Sequence, residues 1–259
     1  MSNRWRPIER ALRAEKGPLI AGIDEVGRGP LAGPVIACAV VMPPDQRAIR
    51  GVDDSKKLNA DDRERLATRI FETAISVGIG AASVREIDRV NIYHANVMAM
   101  RRALRRLKVT PDHVVIDGKS IRTLEWAHTA IVGGDAKCYS IACASIIAKV
   151  TRDRVMHALA RRYPGYKWEK NVGYSTAAHF QGIAAQGVTP HHRRSFIPIA
   201  QLSLDFTGET VIDIAALQAL AEQHSESEID SSSPLAPLGA GHSFLVDTST
   251  VTAELPPVA

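Results

Sequence analysis

Along the first two hundred residues, apolar positions recur in two distinct patterns. Pro18 to Ile23 is a short apolar stretch, and Val35–Met42 is an unbroken apolar run, the mark of a buried strand. Ile75–Val84 predicts a third strand, and His113–Asp117 and Thr129–Val132 two more. Between them the apolar spacing lengthens to the helical period. Asn59 is placed to cap a helix running to about Thr73, with Asp61 and Asp62 in its first turn at the positive end of the helix dipole. Ile87–Leu107 reads as a long helix, with Val90, Val97, Ala103, Leu104 and Leu107 on its apolar face. Ser140 to Tyr163, Thr176–Ala185 and Val211–Gln223 are further helix candidates, and residues 1–16 predict a short basic helix at the domain edge. Strands that come first and then alternate with helices indicate an α/β or α+β sheet domain, with helical material at the C-terminal end.

Punctuation divides these elements. Gly27, Gly29, Pro30, Gly33 and Pro34 predict a turn after the first strand, and Pro43–Lys57 a polar loop. Beyond residue 224, Ser, Pro and Gly dominate with few large apolar residues, the composition of a disordered tail. The expected organisation is an N-terminal segment (1–17), a catalytic domain (18–200), a helical C-terminal extension (201–224) and an acidic tail (225–259).

Charge sharpens this division. The net charge is +4, yet residues 225–259 hold Glu226, Glu228, Asp230, Asp247 and Glu254 and no Lys or Arg. Without those five negatives the body carries +9, which suits either a polyanion-binding surface or ordinary solubility. Arg101, Arg102, Arg105, Arg106 and Lys108 crowd one helix end, where cations favour the dipole and phosphate contact is the sharper alternative. Three cysteines, Cys38, Cys138 and Cys143, do not make a disulfide framework, and Cys38 and Cys143 sit in apolar runs as small buried hydrophobes. No cationic apolar leader opens the chain and no stretch is apolar enough to span a bilayer, so the expected location is the cytoplasm, without a membrane partner.

Four acids fall where strands are expected to end: Asp24, Glu25, Asp117 and Asp135. Strand ends gather distant sequence at one sheet edge. Carboxylates are hard oxygen ligands suited to Mg²⁺ or Mn²⁺, and several together repel one another unless cations intervene. Consecutive strand residues point to opposite faces, so Asp24 and Glu25 share one site only if the strand ends or bends there; Gly27 and Gly29 are expected to supply that ending. In Gly27-Arg28-Gly29, main chain can approach a ligand closely and Arg28 adds a fork matched to phosphate, though tight turns use Gly-x-Gly constantly. His179, His191 and His192 fit structural or phosphate-contacting roles better than a separate metal site.

The segment Gly22-Ile23-Asp24-Glu25-Val26-Gly27-Arg28-Gly29-Pro30-Leu31-Ala32-Gly33-Pro34-Val35 resembles the opening motif of bacterial ribonuclease HII. Asp54-Ser55-Lys56-Lys57-Leu58, Val115-Ile116-Asp117-Gly118, Gly134-Asp135 with Ser140 to Arg154, Gly173-Tyr174 with His179, and His192-Arg193-Arg194-Ser195-Phe196 resemble that family's later blocks in the same order. The resemblance covers roughly residues 18–200.

It implies a ribonuclease H-like fold: a central mixed sheet flanked by helices, with a small helical C-terminal extension. It implies an endonuclease that hydrolyses the RNA strand of RNA–DNA hybrids. It also implies cutting 5′ of single ribonucleotides in duplex DNA, leaving 3′-hydroxyl and 5′-phosphate ends. Asp24, Glu25, Asp117 and Asp135 would be the catalytic and metal-binding set for two divalent ions, Mn²⁺ or Mg²⁺. Main chain at Gly27, Arg28 and Gly29 would read the ribose 2′-hydroxyl, and Tyr174 would pack on the neighbouring sugar. Lys56 or Lys57 would bind backbone phosphate, simple surface charge being the alternative. The family usually carries Asn-Lys-Gly-Tyr-Gly where this chain has Asn171-Val172-Gly173-Tyr174-Ser175, so a lysine phosphate contact is missing. The rival readings are ribonuclease HIII and a non-catalytic nucleic-acid-binding protein. A monomer is expected. Gln201-Leu202-Ser203-Leu204-Asp205-Phe206 looks like peptides that bind the bacterial sliding clamp; alternatively its apolar residues pack inward.

Overall fold

The computed structural model describes residues 6–204 and, beyond them, Ala219 alone. The expected helix at Val211–Gln223 and the acidic tail 225–259 lie outside the described residues, that one position aside.

Five strands form one mixed sheet: β1 (Ile20–Val26), β2 (Val35–Val41), β3 (Ser76–Ala82), β4 (His113–Asp117) and β5 (His128–Ile131), in the order β3-β2-β1-β4-β5. β2 pairs antiparallel with β1 and β3, while β4 runs parallel to both β1 and β5. The helices are α1 (Arg6–Lys16), α2 (Ala60–Thr73), α3 (Val84–Arg105), α4 (Gly134–Lys137), α5 (Tyr139–Arg162), α6 (Trp168–Asn171), α7 (Ala177–Gln186) and α8 (Ile197–Leu204). This is the expected central mixed sheet flanked by helices. α8 crosses the expected boundary at residue 200, so the chain stays helical there.

The two sheet faces bury separate apolar clusters. Ala21, Ile23, Ala37 and Ala39 pack with Ile87, Val97, Met100 and Leu104 of α3. Cys38, Val40 and Met42 pack on the other face with Leu66 and Ile70 of α2 and with Ala142, Cys143 and Ile146 of α5. The unbroken apolar run of β2 follows from covering both faces. All three cysteines are buried and unpaired with one another.

Glycine lets the helices sit close on the sheet. A Cβ at Gly80 would lie 2.0 Å from Ala99 O and one at Gly78 2.1 Å from Ala103 O, so α3 rests directly on β3. On the opposite face a Cβ at Gly22 would lie 2.3 Å from the carbonyl carbon of Ser140.

Local signals set the helix ends. Asn59 accepts from Asp62 N, and Ser83 with Glu86 forms a capping box at α3. α3 is not one straight helix: Asn91 has φ 63° and ψ 169°, and its side chain accepts from His94 N, restarting the helix. The N-terminus of α5 is capped by a distant residue. The Glu9 carboxylate accepts from Ser140 N at 2.6 Å, which docks α1 on the domain. Part of the basic end of α3 is paired: Arg102 with Glu86 at 2.6 Å, and Arg105 with Glu125 at 2.8 Å. Arg102 holds the Glu86 carboxyl down to about 2.

A third cluster gathers Leu31, Met156, Tyr166, Trp168, Phe180 and Ile183 around the imidazoles of His179 and His192. Their tautomers follow from their partners. Thr189 N donates to His192 Nδ1, so the His192 proton is on Nε2 and points to His179 Nε2 at 3.1 Å. His179 Nε2 also accepts from Trp168 Nε1, so its own proton is on Nδ1 and is donated to Tyr174 O at 2.9 Å. Both rings are structural and neutral. His191 makes an edge contact with Tyr163.

Two predictions follow. Gly80→Ala drives a methyl into the α3 backbone and should cost about 1–3 kcal/mol, the usual penalty of overpacking. Gly29→Ala, where an added Cβ meets nothing within 4 Å, should leave the melting temperature unchanged. Equal melting temperatures for the two variants would contradict the close helix–sheet contact. Burial pushes His179 down to about 4 and His192 to about 3, from an ordinary 6.5. Below pH 6.5 the unfolded chain therefore binds protons that the folded chain refuses. The stabilising contribution of this pair is complete above pH 6.5 and is lost as pH falls toward 4 and then 3. The buried acids described below have raised pKa values and run in the opposite sense, so imidazole ¹⁵N resonances isolate the effect better than a melting curve. At pH 5.5 they should report neutral His179 (Nδ1–H) and neutral His192 (Nε2–H); a protonated ring at that pH would refute the network.

Candidate active site

The carboxylates collect at the ends of the two central parallel strands. β1 and β4 pair from Ile20↔His113 to Ile23↔Ile116, so the next residues, Asp24 and Asp117, are neighbours across the ladder. Asp117 closes β4, and Gly118 turns the chain away with φ 87°. Asp117 Oδ1 accepts from Gly134 N at 2.7 Å, which draws the first turn of α4, and with it Asp135, to the same edge.

Two expectations about these acids need correction. β1 does not end at Asp24–Glu25: its pairing with β2 continues to Val26↔Ile36, because antiparallel hydrogen bonding to β2 outlasts the parallel pairing to β4. The alternation of a strand therefore holds, and the two side chains leave on opposite faces. Asp24 lies toward α5, where Ser145 favours its ionised form, and Glu25 lies toward α3, where Asn96 does the same. Asp117, at the strand end, interacts with both. Asp135 is not at a strand end either; it sits in the one-turn helix α4 after the Gly133 turn.

The electrostatics are those of crowded like charges in a partly dry setting. Asp24, 8% exposed, has its carboxyl raised well above the usual range, by burial first and then by Glu25 and Asp117. Glu25 is raised by burial, against the pull of Arg28, whose guanidinium lies 3.4 Å from Glu25 Oε1. Asp135 is raised by burial, Asp117 and Asp54, with Lys56 opposing. Among the described residues, no three His, Cys, Asp or Glu side chains are drawn together tightly enough to hold a metal ion as they stand. The donor set nevertheless fits a hard divalent cation: the groups are carboxylates, they share one edge, and their repulsion is what such a cation would relieve.

Asp54 was missed as a site residue, although its block was legible in the sequence. The loop after Val52 folds back so that Asp54 and Lys56 reach Asp135, while the buried Ser55 hydroxyl meets Ser145 Oγ at 2.7 Å. No periodicity announces such a return. Lys56 is thereby brought to the acids; Lys57 is exposed and lies 3.8 Å from Asp53.

The Gly27–Pro34 turn is held from beneath by two arginines that are both fully buried. Arg193 donates to Arg28 O, Gly33 O and Gly27 O. Arg152 donates to Pro34 O, Ala32 O and Val172 O. Gly27 takes φ 91°, and a Cβ there would strike Arg152 Nε at 2.2 Å. Gly29 is exposed at the tip of the turn and Arg28 is partly exposed. Tyr174, 44% exposed, stands on a neighbouring turn with its own carbonyl tied to His179. Arg152 and Arg193 are the other residues that sequence reasoning passed over. Both lie inside matched blocks, Arg152 amid the polar Lys149, Thr151, Asp153 and Arg154, and only packing shows what each one holds.

The comparisons with known proteins agree with this geometry. The sequence profile of the family described as Ribonuclease HII matches residues 21–199. A Ribonuclease HII of Granulibacter bethesdensis is 55% identical over 203 residues, covering 77% of this chain and 93% of the relative. One from Staphylococcus carnosus is 49% identical, covering 76% of this chain and 75% of the relative. The crystal structure of ribonuclease H2 from Pyrococcus horikoshii superposes with a TM-score of 0.62 at 26% identity, covering 74% of this chain and all of that one. The structure of the PCNA:RNase HII complex from Archaeoglobus fulgidus has a TM-score of 0.57 at 24% identity, covering 75% of this chain and 98% of that one, a likeness of fold. A central mixed sheet, acids gathered at one sheet edge and a family match over residues 21–199 lead to one conclusion: this chain belongs to the ribonuclease HII family, the type 2 ribonuclease H endonucleases that cleave RNA in RNA–DNA hybrids.

Proposed function

We propose that the chain cuts on the 5′ side of a ribonucleotide, both within RNA–DNA hybrids and at single ribonucleotides in duplex DNA, leaving 3′-hydroxyl and 5′-phosphate ends. The observation that carries this reading is the meeting of Asp24, Glu25, Asp117 and Asp135 at one sheet edge beside a turn whose backbone is locked by buried arginines. Two divalent ions, Mg²⁺ or Mn²⁺, bound by these carboxylates would activate the attacking water and offset charge on the leaving 3′-oxygen.

The protein's own groups supply recognition. The exposed Gly29 backbone and the Gly27 and Arg28 peptides can approach a ribose closely, and the 2′-hydroxyl is the feature that separates RNA from DNA there. Tyr174, 44% exposed, would pack against the adjoining sugar. Arg28 and Lys56 border the acids and supply positive charge for backbone phosphate; Lys57, exposed beside Asp53, extends that charge outward. The resulting contacts are with the sugar and phosphate, so cleavage should follow ribose position rather than base sequence.

The proposal extends to a partner. The clamp-like peptide begins at exposed Gln201, near the end of α8, and its Asp205 and Phe206 lie outside the described residues.

Two substitutions test the reading. Asp24→Asn is nearly isosteric but removes the charge that would hold a cation, and it should abolish metal-dependent cleavage while duplex binding persists. Strong residual cleavage with Mg²⁺ or Mn²⁺ would sink the assigned role. Tyr174→Ala should reduce cleavage at a lone ribonucleotide more than cleavage within a long RNA tract. Equal losses on matched substrates, read from kcat/KM, would make Tyr174 structural.

A further inference from the structure

Arg152 is 0% exposed, and none of the ion pairs among the described residues places a carboxylate on it. Burying a guanidinium with no carboxylate in contact is costly, and burial lowers its pKa to about 10 against the opposing pull of Tyr174 and Asp153. Its hydrogen bonds show what the cost secures. Nε donates to Pro34 O at 3.1 Å, Nη2 to Ala32 O at 3.0 Å, and Nη1 to Val172 O at 2.9 Å. One planar fork thus joins two turns that are 138 residues apart between Pro34 and Val172 in sequence. The first carries Gly27, Arg28 and Gly29; the second carries Tyr174.

The second turn is not relaxed. Val172 has φ 43° and ψ 34°, a left-handed conformation that a β-branched residue rarely adopts. Such strain persists only where surrounding contacts over-determine the backbone. The contacts here are the Arg152 bond to its carbonyl, a bond from Val172 N to Trp168 O, and the bond from Leu31 N to Gly173 O at 2.9 Å. Spacing is also set by exclusion: a Cβ on Gly173 would meet Ala32 O at 2.6 Å.

We propose that Arg152 is a positioning residue for substrate selection, whose guanidinium fixes the separation between the Gly27–Gly29 backbone and Tyr174 and thereby sets the preference for a lone ribonucleotide. This rests on the functional reading above and deepens it. A lone ribonucleotide offers one 2′-hydroxyl followed by a deoxyribose, so both turns must engage adjacent sugars at a fixed spacing. A continuous RNA tract offers a ribose at every step and tolerates a displaced tyrosine. Lysine keeps the charge of arginine but cannot hold three divergent carbonyls in one plane.

The test compares wild-type protein with Arg152→Lys, Tyr174→Ala and the double variant. Each is assayed with Mg²⁺ on two duplexes, one with a single embedded ribonucleotide and one a continuous RNA–DNA hybrid. Wild-type protein that cuts the hybrid but not the single-ribonucleotide duplex refutes the functional reading itself. Where it cuts both, Arg152→Lys should lower the ratio of single-site to hybrid kcat/KM by about tenfold or more, since a displacement near 1 Å can cost about a hundredfold. In the double variant the ratio should fall no further than in Tyr174→Ala alone. An unchanged ratio, or multiplying losses in the double variant, overturns the proposal. A merely structural role would lower both activities together and leave the ratio alone. If Arg152→Lys does not fold, Gly173→Ala takes its place: its methyl pushes on Ala32 O and separates the same turns with Arg152 intact. The same fall in ratio is expected, and an unchanged ratio is again a refutation.

Discussion

β1 and β4 pair in parallel over four residues, and the carboxylates of the candidate site begin just beyond that pairing. A parallel ladder brings two strand ends to the same edge, so Asp24 and Asp117 meet although 93 residues separate them. Nothing local would hold them together, since each raises the other's energy as an anion. The ladder and the apolar clusters on both faces supply the opposing stabilisation. Gly134 N, Ser145 and Asn96 then adjust individual carboxylates around that fixed pair.

The geometry separates two tasks. The acids occupy the strand edge and α4, elements anchored by the sheet. In the proposed function recognition falls to turns, and turns need external support. Arg193 and Arg152 provide it by bonding the carbonyls of Gly27, Arg28, Ala32, Gly33 and Pro34 from inside, and the His179–His192–Trp168 network anchors Tyr174 O. Loops carried on a rigid scaffold can approach a duplex without the scaffold itself changing. The departure at Val172 belongs to this support: its apolar side chain packs against the cluster that contains Leu31, Met156 and Trp168.

Asp54 broadens the acidic edge beyond the four acids read from motif blocks. Its loop brings a carboxylate and a cation, Lys56, to Asp135 together, so the potential around Asp135 reflects both. The buried Ser55–Ser145 contact anchors this return to α5, the same helix that faces Asp24.

Much of this was legible in the chain itself. Apolar periodicity located all five strands and the three longest helices, because periods of 2 and 3.6 residues follow directly from which faces must be buried. The motif blocks identified the family, and they singled out four acids that the fold brings to one edge. Turn chemistry located Gly27–Pro34, since positive φ at Gly27 and Gly33 demands glycine. Other features depended on contacts between remote segments. Sequence placed the end of β1 too early, at Asp24–Glu25, because the strand's length is set by its partner β2 and not by its own residues. The return of Asp54 to Asp135, the capping of α5 by Glu9, and the tie from Arg152 to both recognition turns involve no local periodicity. A side chain's type says what it can bond to; only the packed fold decides which carbonyl or carboxylate comes within reach.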